Sequence, residues 1–244
     1  MTSSPTPDPA TTGRALLAAL EALGPTPALA WYGEASRIEL SGHVLANWVI
    51  KAIGHLHDEV ALEGGDTVVL DLAPHWKRLV LALATWSLGG EVVLLPRTGA
   101  EDPSADDAAA ALPGGVEDPR VVVTDRPDSA LADTADEVLA VQGVSLAPRY
   151  DGELPPLVRD WLVEVRGSSD RLGVVLPAWS GPVPAPGTGD GAPRLLVAGD
   201  GLAGDGLEAA SRVLGAFLAG GGIVGPAEAV TPERAEVEGV TDRS

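Results

Sequence analysis

The chain contains no cysteine. That absence excludes disulfide staples, thiolate nucleophiles and cysteine-ligated zinc together. Cations are scarce as well: 16 Lys and Arg stand against 35 Asp and Glu, for a formal net charge of −19. A surface so negative repels nucleic-acid phosphates and anionic lipid headgroups, so neither nucleic acid nor a membrane is an expected partner. Long apolar runs are missing too. The most apolar stretch, residues 79–95, is interrupted by Ser87, Gly89, Gly90 and Glu91 and falls short of a bilayer span. Residues 1–12 are rich in Ser, Thr and Pro, with neither the basic nor the apolar region of a secretory signal. A cytoplasmic protein is expected.

What is present suffices for a folded domain. A chain of 244 residues that is 45% hydrophobic can bury a core without a metal or covalent cross-link. Thr12 is placed to cap a helix with Leu16, Leu17, Leu20 and Leu23 on one face, stopped by Gly24 and Pro25. Residues 28–32 and 37–40 read as a hairpin, and Ser41 as the cap of a second helix with Val44, Leu45, Trp48, Ile53 and Leu56 inward. Residues 67–71 and 91–95 are β-rich runs joined by a helical stretch over 75–88, the pattern of a right-handed βαβ unit. Further strands are expected at 120–124, 137–141, 172–176, 195–198 and 222–224, with helices at 155–165 and 205–218. Strands alternating with helices predict an α/β layered fold around mostly parallel sheet. The expected organisation is a flexible tail over 1–11, one α/β domain over 12–225, and an acidic tail over 226–244. Within the domain, 97–118 and 177–193 are expected as mobile or irregular loops.

Few patterns carry chemistry. His75-Trp76-Lys77-Arg78 is a local reversal of charge in an acidic chain, just beyond the strand that ends at Asp71. Open α/β sheets bind ligands beyond the carboxyl ends of their strands, so these four residues are candidates to hold an anionic or aromatic ligand. The plainer alternative is that Trp76 packs while Lys77 and Arg78 are solvated and paired with nearby acids. Gly199, Gly201 and Gly204 match G-x-G-x-x-G between a strand and a helix, the context of a dinucleotide cradle. Asp200 and Asp205, however, put carboxylates where a pyrophosphate would sit, and a plain tight turn is the competing reading. His43, His55, His57 and His75 have no metal-ligand spacing, and surface or helix-end positions are expected for them. Ser180 lacks the glycines of a nucleophile elbow. The six tryptophans are expected as core anchors, with Trp179, inside a Pro/Gly stretch, the most exposed. No cofactor and no metal are expected.

An ordered set of short motifs goes further. Ala28-Leu29, Arg37 through Ser41, Ala46-Asn47, Gly65-Asp66-Thr67-Val68, Ala73-Pro74, and Gly89-Gly90-Glu91-Val92 running to Pro96 occur in sequence, followed by Val121-Val122-Val123-Thr124-Asp125. In order and spacing this resembles the N-terminal part of the adenylate-forming enzymes, the acyl-CoA synthetase and luciferase-like superfamily, and more narrowly a group of its short relatives. The resemblance implies the layered N-terminal subdomain fold of acyl-CoA synthetases. It also implies a phosphate loop of the type T-S-G-T-T-G-x-P-K-G and a C-terminal lid with a catalytic lysine. Neither pattern is found: the two lysines are Lys51 and Lys77, and residues 179–190 are Pro-rich where the loop would be sought. Proline has no N–H to offer a phosphate. The expected function is therefore that of a non-catalytic remnant that binds a small acyl or aryl metabolite or a protein partner. Two alternatives stand beside it: an enzyme of changed chemistry, or of adenylation completed by a partner polypeptide, and a nucleotide-binding module using residues 199–204.

Overall fold

Two five-stranded sheets, each with helices against it, face one another across those helices. The computed structural model describes residues 8–33, 37–96, 118–143, 146–186, 191–202 and 207–243. In chain order the elements begin with α1 (Pro9–Leu23), β1 (Pro27–Tyr32), β2 (Arg37–Ser41), α2 (Gly42–Asp58), β3 (Thr67–Asp71), α3 (Trp76–Ser87) and β4 (Glu91–Leu94). They continue with β5 (Val121–Thr124), β6 (Glu137–Ala140), β7 (Arg159–Asp160), α4 (Trp161–Gly167), β8 (Arg194–Leu196), α5 (Leu207–Leu218), β9 (Gly222–Gly225), α6 (Pro232–Val237) and β10 (Asp242–Arg243). The first sheet has the order β10-β8-β9-β1-β2 and the second the order β4-β3-β5-β6-β7. The second is parallel throughout, and in the first only β1 and β2 run antiparallel. The layered α/β fold and the βαβ unit of β3, α3 and β4 stand as the sequence predicts.

Strand side chains divide by period two. Val68 and Leu70 of β3, with Val121 and Val123 of β5, join the main core with the helices, whereas Val69 and Val122 pack on the far face with Leu95 and Leu131. Every residue of α3 is buried. A helix buried all round belongs in the interior, and α3 packs against α2 on one side and β3 and β4 on the other.

Several boundaries depart from the sequence reading. The first helix starts at Pro9: the Asp8 carboxylate accepts from the Ala10 amide at 3.0 Å, and proline suits the first helical position. Thr12 lies inside that helix, its Oγ1 donating to the Asp8 carbonyl at 3.0 Å. Residues 8–11 therefore belong to the domain, while residues 1–7, 97–117 and 187–190 of the expected tail and loops lie outside the described residues. Val44 is exposed rather than core. The helix expected over 155–165 begins only at Trp161, where Asp160 caps the Leu162 and Val163 amides. No strand forms at 172–176: Leu172, Val174 and Leu176 reach the core by packing, without a ladder.

The largest difference is at the end of the sequence. Residues 226–243, read as an acidic tail, carry α6 and β10, and β10 pairs with β8. Ala227, Val230 and Val240 cover the outer face of the first sheet, over Ala30, Leu196 and Val224. The many acidic residues between them hide this pattern in the sequence. Glu238 ties the segment down: it accepts from the Tyr32 hydroxyl at 2.6 Å, Arg37 Nε at 2.5 Å and Arg194 Nη2 at 3.3 Å. Burial works to raise its carboxyl, but those donors outweigh burial and hold it at about 2.

Candidate functional site

In the second sheet the chain passes from β3 to β4 on one side and then returns to place β5 on the other. That reversal is a topological switch point, and a crevice opens beyond the carboxyl ends of the diverging strands. A cavity of about 370 Å³ lies there. Leu72, Ala73, Pro74 and His75, which follow β3, line it with Lys77 of α3, Asp125 after β5, and Val141, Gln142 and Gly143 after β6. Trp31 and Gly33, at the end of β1, close it from the other sheet.

Of the four residues singled out in the sequence, His75 and Lys77 line this cavity and Trp76 and Arg78 do not. His75 is the N-cap of α3, and its Nδ1 accepts from the Lys77 amide at 3.2 Å. That bond leaves the ring proton of the neutral imidazole on Nε2. Burial, then the nearby Lys77 and Arg78 charges, push its pKa down to about 3, so the ring is neutral at physiological pH. It meets Trp31 edge-on, ring centroids 5.5 Å apart. Lys77 is 1% exposed, and its Nζ donates to the Gln142 carbonyl at 2.7 Å. Trp76 packs against Trp48 in the core, centroids 5.3 Å apart. Neither cation is solvated as the plainer reading expected. Arg78 is 3% exposed and binds Asp200 through Nε at 2.7 Å and Nη2 at 2.8 Å, while its Nη1 donates to the Leu72 carbonyl at 3.1 Å.

Asp200 brings the glycine-rich turn into the same network. Its carboxylate is fully buried and also accepts from the His75 amide at 3.2 Å and the Leu202 amide at 3.1 Å. An internal carboxylate thus occupies the positive end of α3, where a bound anion would otherwise be favoured. Gly199 and Gly201 have φ of +53° and +81°, and a Cβ on Gly201 would lie 2.6 Å from Val213 Cγ2. These two glycines serve a tight turn and its packing on α5. Gly204 and Asp205 lie outside the described residues.

Residues 177–186 of the Pro-rich segment lie elsewhere, and residues 187–190 fall outside the described residues. Trp179 and Ser180 pack near the C-terminal end of α3, roughly 14 Å along that helix from Lys77 at the cavity. The Ser180 amide donates to the Trp86 carbonyl at 3.3 Å, the Trp179 amide to the Pro9 carbonyl at the start of α1 at 2.9 Å, and the Ala185 amide to the Ser211 carbonyl on α5 at 2.8 Å. Trp179 is 7% exposed, against expectation: its ring lies tilted against Trp86, centroids 5.8 Å apart, and its Nε1 donates to the Pro182 carbonyl at 3.0 Å. The other lysine, Lys51, is likewise engaged, on the carbonyls of Arg166 and Ser168. His43 and His57 are exposed and paired with Glu21 and Asp58, but His55 is buried and bonds Glu164 at 2.8 Å. Among the described residues no three His, Cys, Asp or Glu side chains gather as a metal site, and no helix is long and apolar enough to cross a membrane.

Sequence reasoning missed Trp31, Asp125, Gln142 and Gly143 on the cavity. It also missed a cluster at the switch point, where buried Asp71 accepts from Thr124 Oγ1 at 2.7 Å and from Arg126 Nη2 at 3.1 Å. The available signal was positional: these residues end or directly follow predicted strands.

No family model matches the sequence. A curated Mycobacterium tuberculosis protein, named only as a member of its own sequence family, is 30% identical over 148 residues, which is 60% of this chain and 55% of that protein. Among solved structures, an acyl-CoA synthetase from Brucella canis superposes with a TM-score of 0.62 at 18% identity, covering 94% of this chain and 46% of its own. The amide bond synthetase McbA from Marinactinospora thermotolerans gives 0.61 at 20% identity, covering 96% and 48%. NpsA from Klebsiella oxytoca, solved with 3-hydroxyanthranilyl-AMSN, gives 0.59 at 14% identity, covering 95% and 46%. The fold is that of the N-terminal region of the adenylate-forming enzymes. The chain spans about half the length of these relatives.

Proposed function

We propose that this chain works by binding and not by adenylation, on the scaffold of an adenylate-forming N-terminal region. The observation that carries the reading is the state of residues 177–186, the part of the Pro-rich segment described before residue 187. Its Trp179, Ser180 and Ala185 amides donate to carbonyls of the protein itself, and Pro177, Pro182, Pro184 and Pro186 have no N–H. Binding a triphosphate calls for a concave set of free amides and a nearby cation. Both lysines of the chain are engaged on backbone carbonyls, and Asp200 fills the N-terminal end of α3. What the geometry does offer is the cavity beyond β3, β5 and β6, of a size suited to a small acyl or aryl metabolite. The proposed setting is the cytoplasm, where a chain without cysteine forgoes nothing.

ATP–pyrophosphate exchange over a panel of aliphatic and aromatic acids tests this. The expected result is no exchange above the protein-free rate. Exchange that requires the protein overturns the reading in favour of an enzyme. Calorimetry with ATP, AMP and NAD is expected to show no heat, and heat with any of them restores the nucleotide reading of residues 199–204.

A further inference from the structure

We infer that two copies of this chain associate through the rim of the second sheet formed by β7, α4 and the residues just before them. Leu157 is where the observation starts. It is 95% exposed, the most of any large apolar side chain among the described residues, and its φ is +70°. The left-handed region is costly for a bulky residue, whereas glycine occupies it freely. Leucine is thus unfavourable here twice, through backbone strain and through apolar surface left in water, and almost none of its side chain touches the monomer. Strain and exposure at one residue point to a contact outside the monomer.

The rim carries more of the same. Arg166 of α4 donates to the Pro148 carbonyl at 2.6 Å and the Ala147 carbonyl at 3.3 Å, and Asp160, the cap of that helix, accepts from the Tyr150 amide at 2.8 Å. Residues 146–150 therefore run beside α4 from its end back to its start. Val163 shares the face of Asp160 and Arg166 by its three-residue spacing and is 54% exposed, and Leu146 is 77% exposed. β7 ends the sheet but has only two residues, Arg159 and Asp160, both charged, which discourages pairing through the strand edge. The contact is one of side chains.

Charge identifies the occupant. The chain carries −19, so most of its surface repels another acidic molecule. Between residues 146 and 171 the exposed charges balance, Arg149, Arg166 and Arg171 against Asp151, Glu153 and Asp170. The others in that stretch, Arg159, Asp160 and Glu164, are half-buried and bonded within the chain. A basic partner would be drawn to the acidic remainder and not to this neutral rim. A partner as acidic as the chain itself can approach only where the signs interleave, and a second copy meets that condition. A two-fold axis sets such a patch against itself, and a surface bearing both signs suits that arrangement.

Sedimentation equilibrium of the full chain, at about 1–100 µM and at low and high salt, tests this. A dimer is expected. Its dissociation constant is expected to fall roughly threefold or more between about 50 and about 500 mM NaCl, because salt screens the repulsion and leaves the apolar contact. Leu157→Gly relieves the strained φ, so the fold is kept, and is expected to weaken the dimer about tenfold or more. Val163→Glu puts a carboxylate in the first turn of α4, where a helix favours one, and is expected to do the same. Val237→Ser, at an exposed position on α6, is expected to leave the dimer unchanged. A monomer at every concentration and salt overturns the inference, as does a dimer that weakens with salt. A dimer that survives both rim substitutions, or that Val237→Ser disrupts, overturns it by placing the contact elsewhere.

Discussion

Arg78 and Asp200, 122 positions apart in the chain, meet through two parallel hydrogen bonds at 2.7 and 2.8 Å. The pair joins the start of α3, which lies on the second sheet, to the turn after β8 in the first. Both side chains are nearly inaccessible, at 3% and 0% exposure. Such a pair gains little over well-packed apolar residues, but losing one partner strands a buried charge.

Asp200→Ala is therefore expected to destabilise the protein by about 3–5 kcal/mol. The double substitution Arg78→Met with Asp200→Leu is expected to recover most of that loss. Urea unfolding of Arg78→Met, Asp200→Leu and the double variant closes the cycle. A double variant as unstable as the sum of the singles contradicts this account.

His75 makes stability depend on pH. An unfolded histidine titrates near 6.5, whereas burial and the Lys77 and Arg78 charges hold the folded ring at about 3. Between those values the unfolded chain binds a proton that the folded chain does not. Stability from this group is thus complete above about 6.5 and declines as the pH falls toward 3. His75→Asn keeps an acceptor for the Lys77 amide and removes the titration. Urea midpoints followed from pH 8 to pH 3.5 should fall less for His75→Asn than for the parent, and parallel curves would count against this role.

Trp179→Ala tests whether the Pro-rich segment is fixed. Removing a buried indole is expected to cost about 3–5 kcal/mol. A change within a few tenths of a kcal/mol, of the kind surface sites show, would mean that the segment does not pack on Trp86.

Much of this architecture was legible. Residues 67–71 and 121–124 are short β-branched runs, and strands of a parallel sheet are buried on both faces, so the apolar run and its purpose coincide. Ser41 was legible as a cap because its hydroxyl meets an amide only three residues on. The site was harder. Nothing local tells that Lys77 and Arg78 are buried, because the acceptors that make burial tolerable, Gln142 and Asp200, come from distant elements. Trp179 misled for a related reason: its neighbours are loop-forming residues, yet the loop lies on a helix that offers an apolar face. At 226–243 acidic residues outnumber the few apolar ones that cover the first sheet.

The strand order also constrains assembly of the nascent chain. The second sheet draws on residues 67–160, contiguous apart from its loops, and its pairings can be completed while synthesis continues. The first sheet sets β1, at residues 27–32, beside β9, at residues 222–225. Until β9 leaves the ribosome, β1 has only its hairpin partner β2, and its other edge lies open. The first sheet cannot be completed until nearly two hundred residues after β1 have been translated, and an unpaired strand edge is a template for chaperones and for aggregation.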